Sequence, residues 1–383
     1  MSDIYQPINI GGVMLRNSVL RAATDEAMAD SSGFPSDQLA TLYERLAKGG
    51  VGGIITGYMG INCNGRSPQD GMCLIDKDDK IEPLRDIVKR VHALDTPIIV
   101  QIAHCGRNGA EKYQKVGEFT DTRIEAVISD FVQAVRRAKE AEFDAAELHC
   151  AHGYLLSEFL SPKTNHRCDK WGGSVENRFR IVREIMLRVR EQMPDFPVWA
   201  KINGMEGKGI TPALAAQYAR LMQDVGINAV EVSCGLSSDL LMMTRGEVPF
   251  EMLCHDAPAF KDLPRWLQRL IRPLVMKVAK APQPWRKYNV EAAKTIKNSV
   301  DIPVIAVGGI HDLQDIQETL ADGIDAVAIS RPLVLEPNLV SKYQSGKQTT
   351  ARCIACNYCG IGIYQRPLRC YYGKVPKHEI LNN

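Results

Sequence analysis

The chain has 383 residues, 45% of them apolar and 24% charged, with a formal net charge of +2. That length can bury a sizeable core as one large domain or two modest ones, and so small a net charge gives no global field that argues for nucleic acid. No uninterrupted apolar run reaches about 18 residues, and MSDIYQPINIGG lacks the basic-then-apolar order of a signal peptide, so a cytoplasmic, not transmembrane, protein is expected.

Along the chain, short β-branched runs alternate with segments of helical periodicity. SVLRAA (18–23) precedes a helix opening near Ser36, and VGGIITG (51–57) one near Ile81. PIIVQIA (97–103) leads to Thr122, DAAELH (144–149) to Ser174, and PVWAKI (197–202) to Thr211. NAVEVS (228–233) leads to Val290 only after a long connection, residues 234–289. PVIAVG (303–308) and DAVAIS (325–330) precede helices near Asp312 and Pro337. Eight such units predict an α/β fold, a (β/α)8 TIM barrel over residues 1–347, followed by a Cys-rich extension over 348–383. A doubly wound sheet is the competitor, weakened because no GxGxxG follows the first strand.

A barrel places its active site at the C-terminal ends of the strands. Thr24, Gln101, His104, the run His149 to Tyr154, and Lys201 all fall there. The seventh and eighth strands end in VGGI and SRP, so Gly308, Gly309, Ser330 and Arg331 sit where barrels commonly hold a phosphate. The plainer reading is a tight turn at the glycines and a surface ion pair for Arg331. Taken alone, a histidine in such a run is more often a buried core residue with a partner than a catalyst.

Two further segments carry signals. Of eleven cysteines, Cys63, Cys73, Cys105, Cys150, Cys168, Cys234 and Cys254 are scattered, whereas Cys353, Cys356, Cys359 and Cys370 form C-x2-C-x2-C-x10-C. Thiolates at this spacing suit an iron-sulfur cluster or zinc, and unligated thiols are the remaining reading. KDLPRWLQRLIRPLVMKVAKAPQPWRKY (261–288) carries eight Lys or Arg against one Asp. It reads as an amphipathic lid helix, as a site for an anionic substrate tail such as acyl-CoA phosphates, or as a docking face for a membrane or partner protein. His255, in the same loop, is a weak candidate for a substrate contact.

Taken in order, YQPINIGGVMLRNSVLRAAT, GGVGGIITG, QIAHCGR, FDAAELHCAHGYLLSEFLSPKTNHRCDKWGGSVENRFR, PVIAVGGI, DAVAISRPLVLEPNL and CIACNYC resemble the old yellow enzyme family of flavin oxidoreductases. Within it they are most similar to the branch of 2,4-dienoyl-CoA reductase and trimethylamine dehydrogenase. The resemblance implies a barrel that binds FMN, takes electrons from NADH or NADPH, and passes them to an electron-poor substrate. It places Thr24, Gly57, Tyr58 and Gln101 around the flavin ring, and Lys201 at its N1 and C2 oxygen, where many relatives carry arginine. Gly308, Gly309, Ser330 and Arg331 would hold the ribityl phosphate. His149 and His152 resemble the pair that binds a substrate carbonyl, and Tyr154 the residue that protonates the α carbon; the WGGSVENRFR turn, with Asn177 and Arg178, is read as architectural.

Amine dehydrogenases of the branch have tyrosine in place of His149, which favours reduction of a C=C bond conjugated to a carbonyl or acyl thioester. A substrate dehydrogenase feeding an acceptor protein is the alternative, and an electron-transfer or assembly subunit without catalysis is a third. The resemblance favours a 4Fe-4S cluster on the terminal cysteines. Multidomain relatives continue into a module for FAD and nicotinamide, which does not follow Asn383 here. Either NAD(P)H reduces FMN directly or a separate electron-transfer protein takes part, and a homo-oligomer is expected.

Overall fold

The computed structural model describes residues 4–109, 115–257 and 259–374. Eight parallel strands close on themselves: β1 (Val19–Arg21), β2 (Gly53–Ile55), β3 (Ile98–Ala103), β4 (Ala145–Cys150), β5 (Val198–Met205), β6 (Ala229–Cys234), β7 (Val304–Val307) and β8 (Ala326–Ile329). Closure is made by β8 against β1, Val327 opposite Val19, and by β2 against β3, Ile54 opposite Ile98. A doubly wound sheet would leave two open edges, so this closure decides between the two expected folds. All eight strands lie where the β-branched runs put them. A two-residue strand, Met59–Gly60, adds to the end of β3.

The helices between strands open on the expected side-chain caps. Ser36, Ser174 and Thr211 each accept from the amide three residues on. The third helix, Asp121–Glu140, begins one turn-position earlier than expected because Thr120, rather than Thr122, supplies its cap. Inside the barrel, side chains alternate in direction along each strand. Ala145, Trp199 and Ala229 form an apolar layer with Leu20, Ile55, Ile99, Ile305 and Ala326. The hairpin of Ile8–Ile10 and Val13–Leu15 plugs the bottom with Ile10, Val13 and Leu15, and Trp199 Nε1 donates to Gly11 O at 3.2 Å.

The long connection after β6 contains three helices, Leu240–Thr244, Phe250–Asp256 and Arg265–Val278. A C-terminal extension with a short helix, Tyr358–Gly362, returns to the mouth of the barrel, where Leu368 N donates to Glu26 O at 2.8 Å. Residues 375–383 of the expected Cys-rich segment lie outside the described residues. The expected cysteine-held cluster does not appear as a formed centre: among the described residues no group of three or more His, Cys, Asp or Glu stands close enough to hold a metal ion. Burial first, and then neighbouring cysteines, raise the pKa of Cys353, Cys356 and Cys359, and Cys359 is pushed up to about 12.

Candidate active site

Above the apolar layer the same strand alternation brings a charged layer inward. The register sets Gln101 beside Glu147, His149 beside Lys201, and Lys201 beside Glu231. Gln101 Nε2 donates to Glu147 Oε2 at 2.5 Å, and Lys201 Nζ lies 2.8 Å from Glu231 Oε2. Burial, and then the Glu231 charge, raise the Glu147 pKa well above the carboxylate range, so Glu147 keeps its proton. The lysine contact is an ion pair at an angle too poor for a hydrogen bond, and Glu147 Oε1 and both Glu231 oxygens have no hydrogen-bond partner. A buried acceptor layer of this kind, with one ammonium, is costly unless something above it completes the set.

The next layer up is the strand-4 end. His152 and Gly153 both adopt positive φ, +61° and +71°. For a histidine this is a strained backbone, held because His152 N donates to Asn203 Oδ1 at 3.2 Å, Gly153 N to Ser157 Oγ at 3.1 Å, and Ser237 N to His152 O at 2.7 Å. The turn brings four rings together. His149 meets Tyr154 edge-on with centroids 4.7 Å apart, His149 and His152 are 5.0 Å apart, and Tyr58 lies 5.2 Å from Tyr154. Ala151 N donates to His149 Nδ1 at 3.3 Å, which assigns the ring proton to Nε2. His152 Nε2 lies 2.7 Å from Ser233 Oγ, leaving Nδ1 as its second polar atom. Burial lowers both imidazole pKa values well below the usual range; the neighbouring cations, Lys201 for both, add to this. Both rings are therefore neutral near pH 7. Burial also pushes the Tyr154 phenol up, so it retains its proton.

These groups line one cavity of about 1060 Å³, measured out to its open mouth. Of the residues expected at the site, Thr24, Tyr58, Gln101, His149, His152, Tyr154, Lys201, Gly308, Gly309, Ser330 and Arg331 all face it. Gly57 does not: its amide donates to the buried Glu26 at 2.8 Å, and a Cβ there would meet Glu26 Oε2 and Thr24 O. His104 and His255 are also outside the lining. His104 accepts from Gly106 N, and His255 pairs with Asp256 and Arg366.

The phosphate end needs separate treatment. Thr24 Oγ1 and Ser330 Oγ are 2.9 Å apart. The Arg331 guanidinium is turned onto two main-chain carbonyls and one side-chain amide, with Nη1 donating to Arg245 O at 2.8 Å and to Asn357 Oδ1 at 2.6 Å, and Nη2 donating to Thr244 O. A side chain at Gly308 would meet Tyr288 and Asn289, and one at Gly309 would meet Trp285 O at 2.5 Å. Packing against Trp285–Asn289 therefore accounts for these glycines without any ligand. As an anion site, this corner offers hydroxyls and backbone amides directly, and Arg331 only through an exchange of its carbonyl partners.

Several lining residues escaped the sequence reading. Asp25 accepts from Tyr58 Oη at 3.0 Å, and burial, followed by the Glu26 charge, raises its pKa to about 6. His311 is held down to about 4 by burial and by Arg331 and Arg286. Tyr288, from the long connection, and Gly360 and Ile363, from the C-terminal segment, complete the wall. Asp25 and His311 adjoin Thr24 and the VGGI run, so chain proximity could have flagged them. The others come from segments far from any strand end in sequence.

The donor set suits the expected flavin. A flavin pyrimidine edge presents carbonyl acceptors and one N–H donor, and Gln101 supplies a carboxamide while Lys201 supplies an ammonium at the floor. The neutral histidines and the phenol stand at one side of the same space, and the Thr24–Ser330 hydroxyls at another.

A family profile described as the NADH:flavin oxidoreductase / NADH oxidase family matches residues 3–242, and a dihydrouridine synthase profile matches residues 280–370. The NADH oxidase of Thermoanaerobacter brockii is 30% identical over 404 aligned positions, covering 98% of this chain and 56% of that protein. The 4,4'-dithiodibutanoate disulfide reductase of Rhodococcus erythropolis is 29% identical, covering 94% of this chain and 93% of the relative. In fold, the chain is similar to a 2-naphthoyl-CoA reductase in complex with 2-naphthoyl-CoA, with a TM-score of 0.79 at 21% identity, over 98% of this chain and 58% of that one. The chain thus spans little more than half the length of some relatives and nearly all of others. With its barrel, its cavity and a profile match over most of the chain, it belongs to the NADH:flavin oxidoreductase / NADH oxidase family, FMN-binding barrels of the old yellow enzyme type.

Proposed function

We propose that the protein is an FMN-dependent reductase of C=C bonds conjugated to a carbonyl or acyl thioester, with NAD(P)H or a partner protein as electron source. The observation that carries this reading is the convergence of two neutral imidazoles and a protonated phenol on one cavity. A relative that acts on an aromatic acyl-CoA shares the fold, which supports a thioester among the substrates. The division into a barrel over 1–347, with the 234–289 connection, and an extension over 348–383 belongs to the same reading.

FMN, when bound, supplies hydride to the β carbon; Gln101, Lys201, Thr24 and Ser330 would hold it. His149 donates from Nε2 to the substrate carbonyl oxygen, and His152 donates from Nδ1 while Ser233 keeps its ring oriented. Because both rings are neutral, they donate hydrogen bonds without giving up a proton. They stabilise the negative charge that gathers on oxygen in the transition state, where such donors are most effective. Tyr154, kept protonated by burial, delivers its proton to the α carbon, and the Tyr58–Asp25 pair lies behind it as a path for its return.

We also retain, as a separate proposal, that Cys353, Cys356, Cys359 and Cys370 take up a 4Fe-4S cluster, with zinc as the competitor. What supports it is their spacing and their mutual proximity. Among the described residues the thiols do not meet at metal-binding distance.

Three outcomes follow. Tyr154→Phe, and separately His149→Ala with His152→Ala, lower kcat/KM for an activated enone by at least about 100-fold, with bound flavin and its reduction by NADH unchanged; wild-type turnover in both would sink the assignment. Asp25, with its pKa raised from 3.8 to about 6, leaves the folded chain holding more protons than the unfolded one across that window, so its contribution falls as pH rises. Asp25→Asn is therefore more stabilising at pH 8 than at pH 4, by up to about 3 kcal/mol in urea unfolding, and an equal effect at both pH values would contradict the raised pKa. Metal analysis of anaerobically purified protein should find about four irons per chain with matching sulfide, and stoichiometric zinc or no metal rejects the cluster.

A further inference from the structure

The Arg265–Val278 helix is apolar on two faces. One face, Leu267, Ile271 and Val275, is half-buried against the body of the protein. The other, at the same i, i+4, i+8 spacing, presents Trp266, Leu270 and Leu274, which are 68%, 68% and 63% exposed, with Met276 beside them. A stripe of large apolar side chains this exposed is ordinarily covered, and this one has no covering surface among the described residues. Its length, 14 residues, rises about 21 Å, too short to cross a bilayer, and no helix among the described residues is long and apolar enough to do so.

Charge identifies what covers it. Residues 261–288 carry eight Lys or Arg against one Asp, a net +7, whereas the whole chain is +2, so the remainder of the molecule is net −5. Arg286 and Lys287 are neutralised by Asp312, Asp315 and Glu318. The helix itself has no acidic residue, and its exposed Arg269, Arg272 and Lys277 flank the Trp and Leu stripe. A second copy docked across a two-fold axis would set this cationic row against itself. An anionic bilayer matches both features: the interface accepts Trp and Leu to shallow depth while long cationic side chains reach the headgroups.

We propose that this helix is a monotopic membrane contact that lies in the interface of an anionic phospholipid surface. The connection carrying the helix leaves and rejoins the barrel on its active-site side, since it follows the C-terminal end of β6 and contributes Met243, Thr244 and Tyr288 to the cavity wall. The contact would thus set the cavity mouth toward the lipid. This goes beyond the reductase reading and does not depend on it.

The test is sedimentation of the full chain with vesicles of phosphatidylcholine alone and of phosphatidylcholine with phosphatidylglycerol. Binding is expected only to the mixed vesicles and should weaken with salt. Each cation near the surface contributes about a fivefold factor, so Arg269→Glu with Arg272→Glu lowers partitioning by at least about 25-fold. Trp266→Ser with Leu270→Ser removes it as well, with NADH-driven flavin reduction unchanged. Equal binding to both vesicle types, no binding, or variants that bind like the wild type would overturn the proposal. So would an oligomer that sediments without vesicles and dissociates in the Trp266/Leu270 variant, which gives the face to a second copy.

Discussion

Everything at the mouth of this barrel rests on how a closed parallel sheet accommodates charge. Strand alternation forces Glu147, Lys201 and Glu231 inward together, and no solvent reaches the two glutamates. Their arrangement is a balance: one ammonium offsets one carboxylate, and Glu147 remains protonated. Taking away one partner of such a buried pair ordinarily costs about 3–5 kcal/mol, because the other charge is left unpaired. The layer above inherits this balance, since Lys201 is among the cations that keep His149 and His152 neutral. The neutral state of the two imidazoles thus comes first from burial, and Lys201 beneath them adds to it.

The segments that wall the cavity meet at one guanidinium. Arg331, at the end of β8, joins the carbonyls of Thr244 and Arg245 in the long connection to Asn357 in the cysteine segment. Asn357, in the left-handed conformation, returns bonds to Arg245 O and Glu247 O. Tyr288 completes the clamp through its hydroxyl on Met243 O and its ring beneath Arg245. Three stretches distant in sequence are held over the strand ends by a few main-chain acceptors.

Short β-branched runs made the strands legible from sequence, and the ends of those runs made many lining residues legible, because a strand end in a parallel barrel has a fixed direction. Cap residues such as Ser36, Ser174 and Thr211 made the helix starts legible for a similarly local reason. What was not legible is non-local. The glycine pair 308–309 has the appearance of a phosphate loop, yet its close neighbours are Trp285, Tyr288 and Asn289, set by the return of a long connection. Gly57 reads as a ring contact until Glu26 is seen to occupy its amide. Asp25 is unremarkable in sequence, and its raised pKa arises from burial and from Glu26, which packing alone determines. The basic segment, which in sequence reads as a lid helix, an anionic-tail site or a docking face, forms a helix with a large apolar stripe turned outward.

The central claim is that this cavity binds a flavin that takes electrons from a nicotinamide and gives them to an activated alkene. The most direct measurement is an anaerobic titration of the purified protein, followed by its visible absorption, first with NADH or NADPH and then with an enone or enoyl thioester. The account predicts a flavin band that bleaches with the nicotinamide and returns in full with the alkene, with the saturated product formed one for one. Protein that neither retains nor takes up flavin, or a reduced flavin that no conjugated alkene reoxidises, would contradict it.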